Sequence, residues 1–382
     1  MRLFFFVFFL VYGACNFSVF MKAKAALHPG RGAALLLLFF ILLMIASPFI
    51  VRLSEKAGHE TFAAIMAYAG YTWLGIVFLF ISASLVIDAY RLLLHAAEMM
   101  LKQDMTAASL SARNAFFIPL VLAVGIAVYG YFEARQIQTE HIRIRTSKLP
   151  EGVDKLRIVQ ISDVHLGLIV GEERLKKILE KAEKARPDLL VSTGDLVDAQ
   201  TCGLKGFAHL LSGVKPKFGK FGVTGNHEFY AGLPQSLECA EKAGITMLRG
   251  DALTIEGLIT IAGVDDPTSR FFDLPAPVPE KDLLSPLPPD TFTLLLKHRP
   301  HINRESLGLF DLQLSGHTHK GQIFPFSLIT RLYYPVHAGL RTLDNGSHLY
   351  VSRGAGTWGP PIRFLSPPEI TVIDIARDKT PR

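Results

Sequence analysis

Cysteine is nearly missing from this 382-residue chain. Three occur: Cys15 inside an apolar run, and Cys202 and Cys239 well apart, with no CxxC spacing. A disulfide framework and a thiolate zinc site are thereby disfavoured, and the one pairing left open is Cys202 with Cys239. Charge is scarce as well. Asp, Glu, Lys and Arg make up 19% of the chain and the net charge is +6. Many of the basic residues flank apolar runs, where they read as topology signals, so no nucleic-acid partner is expected. No internal repeat or low-complexity tract occurs, and beyond Phe132 no apolar run is long enough to cross a bilayer.

What the chain has in quantity is hydrophobic residues, 49% of the total, with a mean hydropathy of +0.30. They concentrate in residues 3–20, 32–51, 63–87 and 115–132, each about the ~20 residues that a helix needs to cross ~30 Å of hydrocarbon. Helices of a large soluble core would show a polar stripe, whereas "GAALLLLFFILLMIASPFIV" carries no charge at all. A four-helix transmembrane region, residues 1–132, is expected. The first run also reads as a signal peptide, since it follows Arg2 and precedes Ala23-Lys24-Ala25, although Lys22 and Lys24 beside that site speak against cleavage.

The first and third loops hold Lys22, Lys24, Arg31, Arg91, Lys102 and Arg113; the N-terminal tail and second loop hold only Arg2, Arg52 and Lys56. The positive-inside rule puts the first set in the cytoplasm and both termini outside. Arg135, Arg143, Arg145 and Lys148, close after the fourth span, pull the other way. The expectation is a multi-pass protein of the cell's inner membrane with its soluble part outside the cytoplasm. Residues 133–150 read as a connector and an extended segment, with Ile142 and Ile144 alternating against Arg143 and Arg145. A soluble domain follows at 151–382. Its Pro-rich stretch from Leu274 to Pro289 reads as a surface loop.

Within that domain, short β-branched or leucine-rich runs end repeatedly in polar residues. "LRIVQISDVHLG" ends at Asp163 and His165, "PDLLVSTGDLVD" at Asp195, "KFGVTGNHEFY" at Asn226 and His227, "TFTLLLKHRP" at His298, and "LFDLQLSGHTHKG" at His317 and His319. The runs fit buried strands, and polar groups on loops at strand ends are a common way to gather a site. Any one match is weak, because a histidine after a strand is more often structural than a ligand. Five in one domain are a poor match to chance.

These segments resemble the calcineurin-like metallophosphoesterase family, whose pattern of DxH, GDxxD, GNH[DE], a separate His and GHxH appears here in order as "DVH", "GDLVD", "GNHE", "KHRP" and "GHTH". The late "SRGAGTWGPPIRFLSPPEI" is similar to the C-terminal segment of that family's membrane-linked bacterial branch. The resemblance implies an α/β fold, a four-layer αββα sandwich, and a metal-dependent phosphohydrolase. It also implies that Asp163, His165 and His319 bind one divalent ion, that Asn226, His298 and His317 bind a second, that Asp195 bridges the two, and that His227 is a catalytic residue near the leaving group, as a general acid or an electrostatic clamp. Carboxylates with neutral imidazoles suit Mn, Fe or Zn. Two such ions can hold a hydroxide between them for in-line attack on a phosphorylated substrate, which the membrane anchor biases toward a lipid-linked one.

In an extended segment His317 and His319 project to the same side, so that one reaches each ion. Asp198 reads equally well as orienting a histidine ligand or as a helix cap, and Glu228 as a support or a solvated residue. His301, His337 and His348 read as surface or substrate-pocket residues, and Arg353 and Arg363 as ordinary pairing partners. Two other functions were weighed against hydrolysis. A non-catalytic scaffold is disfavoured because the ligand set is complete, and a transporter because the spans carry little charge in their interiors.

Overall fold

The computed structural model of the chain describes residues 2–198, 204–272 and 274–378. They fall into two compact units, Met1–Phe132 with Gly359–Phe364, and Glu133–Trp358 with Leu365–Arg382.

The first unit is built on α1 (Arg2–Leu27), α2 (Arg31–Lys56), α3 (Glu60–Leu101) and α4 (Ala112–Glu133), all four long and apolar enough to cross a membrane. The helices outrun the apolar runs that mark them. The 42 residues of α3 span about 63 Å at 1.5 Å each, roughly twice the hydrocarbon thickness. Residues 88–101, "DAYRLLLHAAEMML", contain neither Gly nor Pro, so nothing stops the helix until Lys102 turns left-handed at φ 51°. Arg91, expected in a loop, therefore sits on the helix. Close packing depends on a small residue: a Cβ at Gly70 would lie 2.0 Å from Ser47 Oγ, so only glycine lets α2 and α3 approach this far. Two polar pairs link the helices, Trp73 Nε1 donating to Asn16 Oδ1 at 2.9 Å and Lys22 meeting Asp88 at 2.8 Å. The 359–364 segment joins this unit through Arg363, whose backbone N–H donates to the Gly130 carbonyl at 3.0 Å.

The second unit runs β1 (Gln138–Thr146), β2 (Lys155–Ile161), α5 (Glu172–Lys184), β3 (Leu189–Ser192), α6 (Leu204–Gly213), β4 (Lys220–Gly222), α7 (Asn226–Ala231), α8 (Leu233–Lys242), β5 (Ile245–Met247), β6 (Asp251–Ile255), β7 (Ile259–Gly263), α9 (Glu280–Leu284), β8 (Thr293–Leu296), β9 (Leu312–Ser315), α10 (Phe326–Tyr333), β10 (Gly339–Thr342), β11 (His348–Val351) and β12 (Glu369–Arg377). Two six-stranded sheets result, ordered β1-β12-β2-β3-β4-β5 and β10-β11-β9-β8-β7-β6. The period of two along β2 sends Ile158 into the layer between the sheets with Val191, Ile261, Leu294 and Leu312, and Val159 and Ile161 to the other face under Leu175, Ile178 and Leu211 of the helices. Across the second sheet, Leu283 and Leu284 of α9 pack on Leu295 and Phe310. The expected four-layer α/β sandwich is the observed one.

One local reading changes. The Pro-rich stretch contains α9, anchored by Lys297 donating to Glu280 Oε2 at 2.6 Å. Residues 138–146 form an edge strand paired in parallel with β12, from Gln138↔Glu369 to Thr146↔Arg377. Cys202 lies outside the described residues, and Cys239 is buried on α8.

Candidate metal centre

Strands β2, β3 and β4 are neighbours in parallel, as are β8 and β9, so their carboxyl ends open on one edge of the sandwich. The loops there deliver Asp163 and His165 after β2, Asp195 and Asp198 after β3, Asn226 and His227 at the start of α7, His298 after β8, and His317 and His319 after β9. Five of these residues are left-handed without being glycine: Asp163, His165, Asp195, His317 and His319, with φ between 47° and 70°. Such backbone is uncommon and costs of order 1–3 kcal/mol per residue, which the packed surroundings must offset. The "GHTH" segment is therefore not extended, as the two-residue period suggested. It is a tight turn whose two histidines diverge to different neighbours.

The side chains converge in three overlapping groups, Asp163 with His165 and His319, Asp195 with His298 and His317, and His165 with Asp195 and His227, each offering ligand atoms within 4.8 Å of one another. His165 Nε2 faces His319 Nε2 at 3.0 Å, and His319 Nε2 lies 3.4 Å from Asp163 Oδ1. On the other side, His298 Nε2 is 3.1 Å from His317 Nδ1 and 3.2 Å from Asp195 Oδ2. That same carboxylate oxygen stands 3.8 Å from His165 Nε2, so Asp195 faces both groups. Its other oxygen accepts the His227 backbone N–H at 2.8 Å. Seven of the eight residues expected from the sequence are gathered in these groups, and Asn226 is next in the chain to His227 at the start of α7.

Burial in a shared low-dielectric site sets the protonation. Burial alone would raise Asp195, but the His298 and His227 charges outweigh it and hold the carboxylate well below its ordinary range. Asp163 is raised, because burial prevails over the lowering pull of His298. Burial opposes protonation of His298 and His227 as well, yet Asp195 carries the first up to about 10, and Asp195 with Asp198 the second to about 9. His317 is pushed down to about 3 by burial and by the positive charges of His298 and Arg299.

Several supports surround these residues, and the structure decides between the readings that the motifs left open. Glu228 is buried and accepts backbone N–H groups of Asp195 at 2.9 Å, Leu196 at 2.7 Å and Gly225 at 2.7 Å, clamping the loop that presents Asp195; the solvated reading does not hold. The signal was available, since Glu three residues into a helix after Gly225 is a capping-box position. Asp198 lies 2.5 Å from His227 Nδ1, so its partner is His227 rather than a cap site. Gly316 is required by proximity: a Cβ there would fall 2.1 Å from Asp163 Oδ2. Beside the site, Arg299 is held on Asp266 at 2.7 Å, and the Tyr334 ring centroid is 5.6 Å from that of His317. His301 packs against Tyr334 with centroids 4.9 Å apart, at the edge of this pocket. His348 is half-buried on β11, His337 is half-buried with its backbone carbonyl bonded to the histidine turn, and Arg353 pairs with Glu369 at 2.6 Å.

The donor set fits a pair of cations. It combines carboxylate oxygens and imidazole nitrogens with no thiolate, a combination suited to divalent transition metals. Two facing ring nitrogens cannot both carry protons at 3.0 Å. Most telling, the Asn226 side-chain oxygen is buried with no hydrogen-bond donor, an arrangement that is costly unless a cation takes the donor's place.

A two-sheet α/β domain with clustered carboxylates and histidines at its strand ends belongs to the metallohydrolases. Sequence comparison makes this specific. The family model for calcineurin-like phosphoesterases matches residues 156–321. An uncharacterized metallophosphoesterase of Aquifex aeolicus is 39% identical over 257 residues, covering 67% of this chain and 98% of that protein. One from Campylobacter jejuni is 29% identical over 381 residues, 99% of each chain. A Danio rerio transmembrane protein with metallophosphoesterase domain is 34% identical over 268 residues, 67% of this chain and 61% of that one. This chain belongs to the calcineurin-like metallophosphoesterase family and is a metal-dependent phosphohydrolase. Its apolar helices and its similarity to transmembrane relatives associate it with a membrane.

Proposed function

We propose that the protein is a membrane-anchored phosphoesterase that hydrolyses a phosphomonoester, phosphodiester or pyrophosphate bond with two divalent ions, Mn, Fe or Zn. Asp163, His165 and His319 would hold one, Asn226, His298 and His317 the other, and Asp195 would serve both. The observation that carries this reading is the Asp195 carboxylate, whose Oδ2 stands 3.2 Å from His298 and 3.8 Å from His165, between two otherwise separate ligand groups.

When bound, the ions supply positive charge for the phosphoryl oxygens and lower the pKa of water to near neutrality. The chain's own residues do the positioning. Glu228 fixes the Asp195 loop, and Gly316 lets the histidine turn lie against Asp163. His227 keeps its ring proton because Asp195 and Asp198 hold it protonated up to about 9. With Nδ1 engaged by Asp198, its other ring nitrogen is left to give a proton to the departing oxygen. Arg299 and Tyr334 stand beside His317, at one side of the ligand groups.

The four apolar helices support the reading of a multi-pass protein of the inner membrane, and the loop charges favour an extracytoplasmic site. A lipid-linked phosphate is the favoured substrate class, since a site confined at the bilayer meets membrane-held headgroups at high effective concentration. The test uses purified full-length protein, stripped and reloaded with each metal, on lipid-linked phosphates, phosphodiesters and nucleotides. Metal-dependent hydrolysis is expected, fastest on a membrane-held substrate; no metal-dependent release from any of them overturns the reading. Impermeant labelling of cysteines at Ser111 and Lys148 in intact cells reports the side: label at 148 alone supports an outer site, and label at 111 alone reverses it.

A further inference from the structure

Helix α10 is amphipathic in the wrong direction for a soluble domain. A surface helix normally turns its apolar stripe to the core; here the buried residue of the helix is Thr330, while Phe326, Leu328, Ile329, Leu332 and Tyr333 are exposed, Leu332 at 85%. Phe324 just before the helix and Leu340 just after it continue the exposed apolar surface. A contiguous face of this kind marks an interaction site. Its chemistry indicates which one. From residue 312 to residue 343 the sequence has no Asp or Glu, and it carries Lys320, Arg331 and Arg341. Large apolar groups interspersed with positive charge and free of acid are the composition of a helix lying in the interface of an anionic bilayer.

We infer that α10 beds into the surface of the membrane, a conclusion that rests on the reading of the chain as membrane-anchored and specifies which face of the catalytic unit meets lipid. A protein partner would leave the basic bias unexplained. The four-residue link from α4, ending at Glu133, to β1, starting at Gln138, keeps the unit within reach of a bilayer, since four residues span at most about 14 Å. The helix is also tied to the metal centre. Thr318, between the two histidines of the turn, donates to the His337 carbonyl at 2.6 Å, and Tyr334, directly after the helix, sets its ring against His317. Bedding α10 in the interface therefore brings the "GHTH" turn to the depth of lipid headgroups, where a phosphate of a membrane lipid lies.

The test places an environment-sensitive fluorophore on Leu332→Cys in the full-length protein, in a Cys15→Ala/Cys202→Ala background because Cys239 is buried. Reconstitution uses phosphatidylglycerol with phosphatidylethanolamine, and Glu256→Cys in the exposed β6–β7 turn serves as the aqueous reference. Lipids brominated on the acyl chain are expected to quench the probe at 332 at least about twofold while aqueous iodide does not reach it, with the opposite pattern at 256. Quenching by iodide alone at 332, or shielding from both quenchers as a protein partner or second copy would produce, overturns the inference. The readout requires no turnover, so its failure and a failure of the proposed hydrolysis are separate results.

Discussion

In the helical unit the large apolar side chains face outward, Leu36 and Val86 being 72% and 71% exposed. At the metal centre of the α/β unit charged side chains face inward: Asp163 and His298 are fully buried, and Asp195 and Glu228 nearly so. Each region inverts the usual arrangement of a folded protein, and the reasons are opposite. Outward leucines are stable where the surroundings are as apolar as they are. Inward carboxylates and imidazoles are stable only where each charge finds a partner or a cation. The polar pair Asn16 with Trp73 in the helical unit is a minor fastening; the polar cluster of the α/β unit is the function.

The largest expected effect comes from removing the residue common to both ligand groups. Asp195→Asn should reduce turnover by ~10³-fold or more, the scale of several kcal/mol of lost charge stabilisation, and should release bound metal. Elemental analysis finding two ions still present would refute the shared role. Next in size, His227→Ala should keep its metals and lose ~10²-fold or more in kcat, less for a leaving group of low pKa. Asp198→Asn should follow at ~10–100-fold by leaving His227 unoriented. An emptied metal site in His227→Ala would make His227 a ligand instead.

Packing can be tested apart from chemistry. Gly316→Ala drives a methyl into Asp163 and should destabilise the metal-free protein by about 1–3 kcal/mol, read from denaturant melts; a neutral outcome would mean that the turn gives way. The pH dependence sharpens the same point. His227 is held up to about 9 against about 6.5 when unfolded. Its contribution to the stability of metal-free protein is thus fully present below about 6.5 and lost as pH rises through about 9. Melting temperatures from pH 6 to 10 should show this loss, and Asp198→Asn should shrink it. The smallest effect belongs to the helical unit, where Asn16→Leu strands the Trp73 N–H and should cost only about 0.6 kcal/mol. A loss several times larger in detergent unfolding would make that pair a structural centre and weaken the contrast drawn between the two regions.

Much of this was legible in the residues. Four uncharged runs announce helices in an apolar solvent because hydrocarbon offers the backbone no other partner, and a helix is local. The site motifs were legible for a related reason: each is a short loop after a buried strand, and the chemistry of Asp, Asn and His survives in one dimension. The tertiary structure decided what depends on distant segments meeting. Asp198 finds His227 and Glu228 finds the Asp195 loop across some thirty residues of sequence. β1 pairs with β12 across more than two hundred. His317 and His319 part to different neighbours because the backbone between them turns left-handed rather than running extended. The apolar face of α10 belongs to the same category. Its sequence reads like any amphipathic helix, and only the packing of Thr330 inward shows which side was left outside, since the choice of face is made by the neighbours a helix meets and not by the helix.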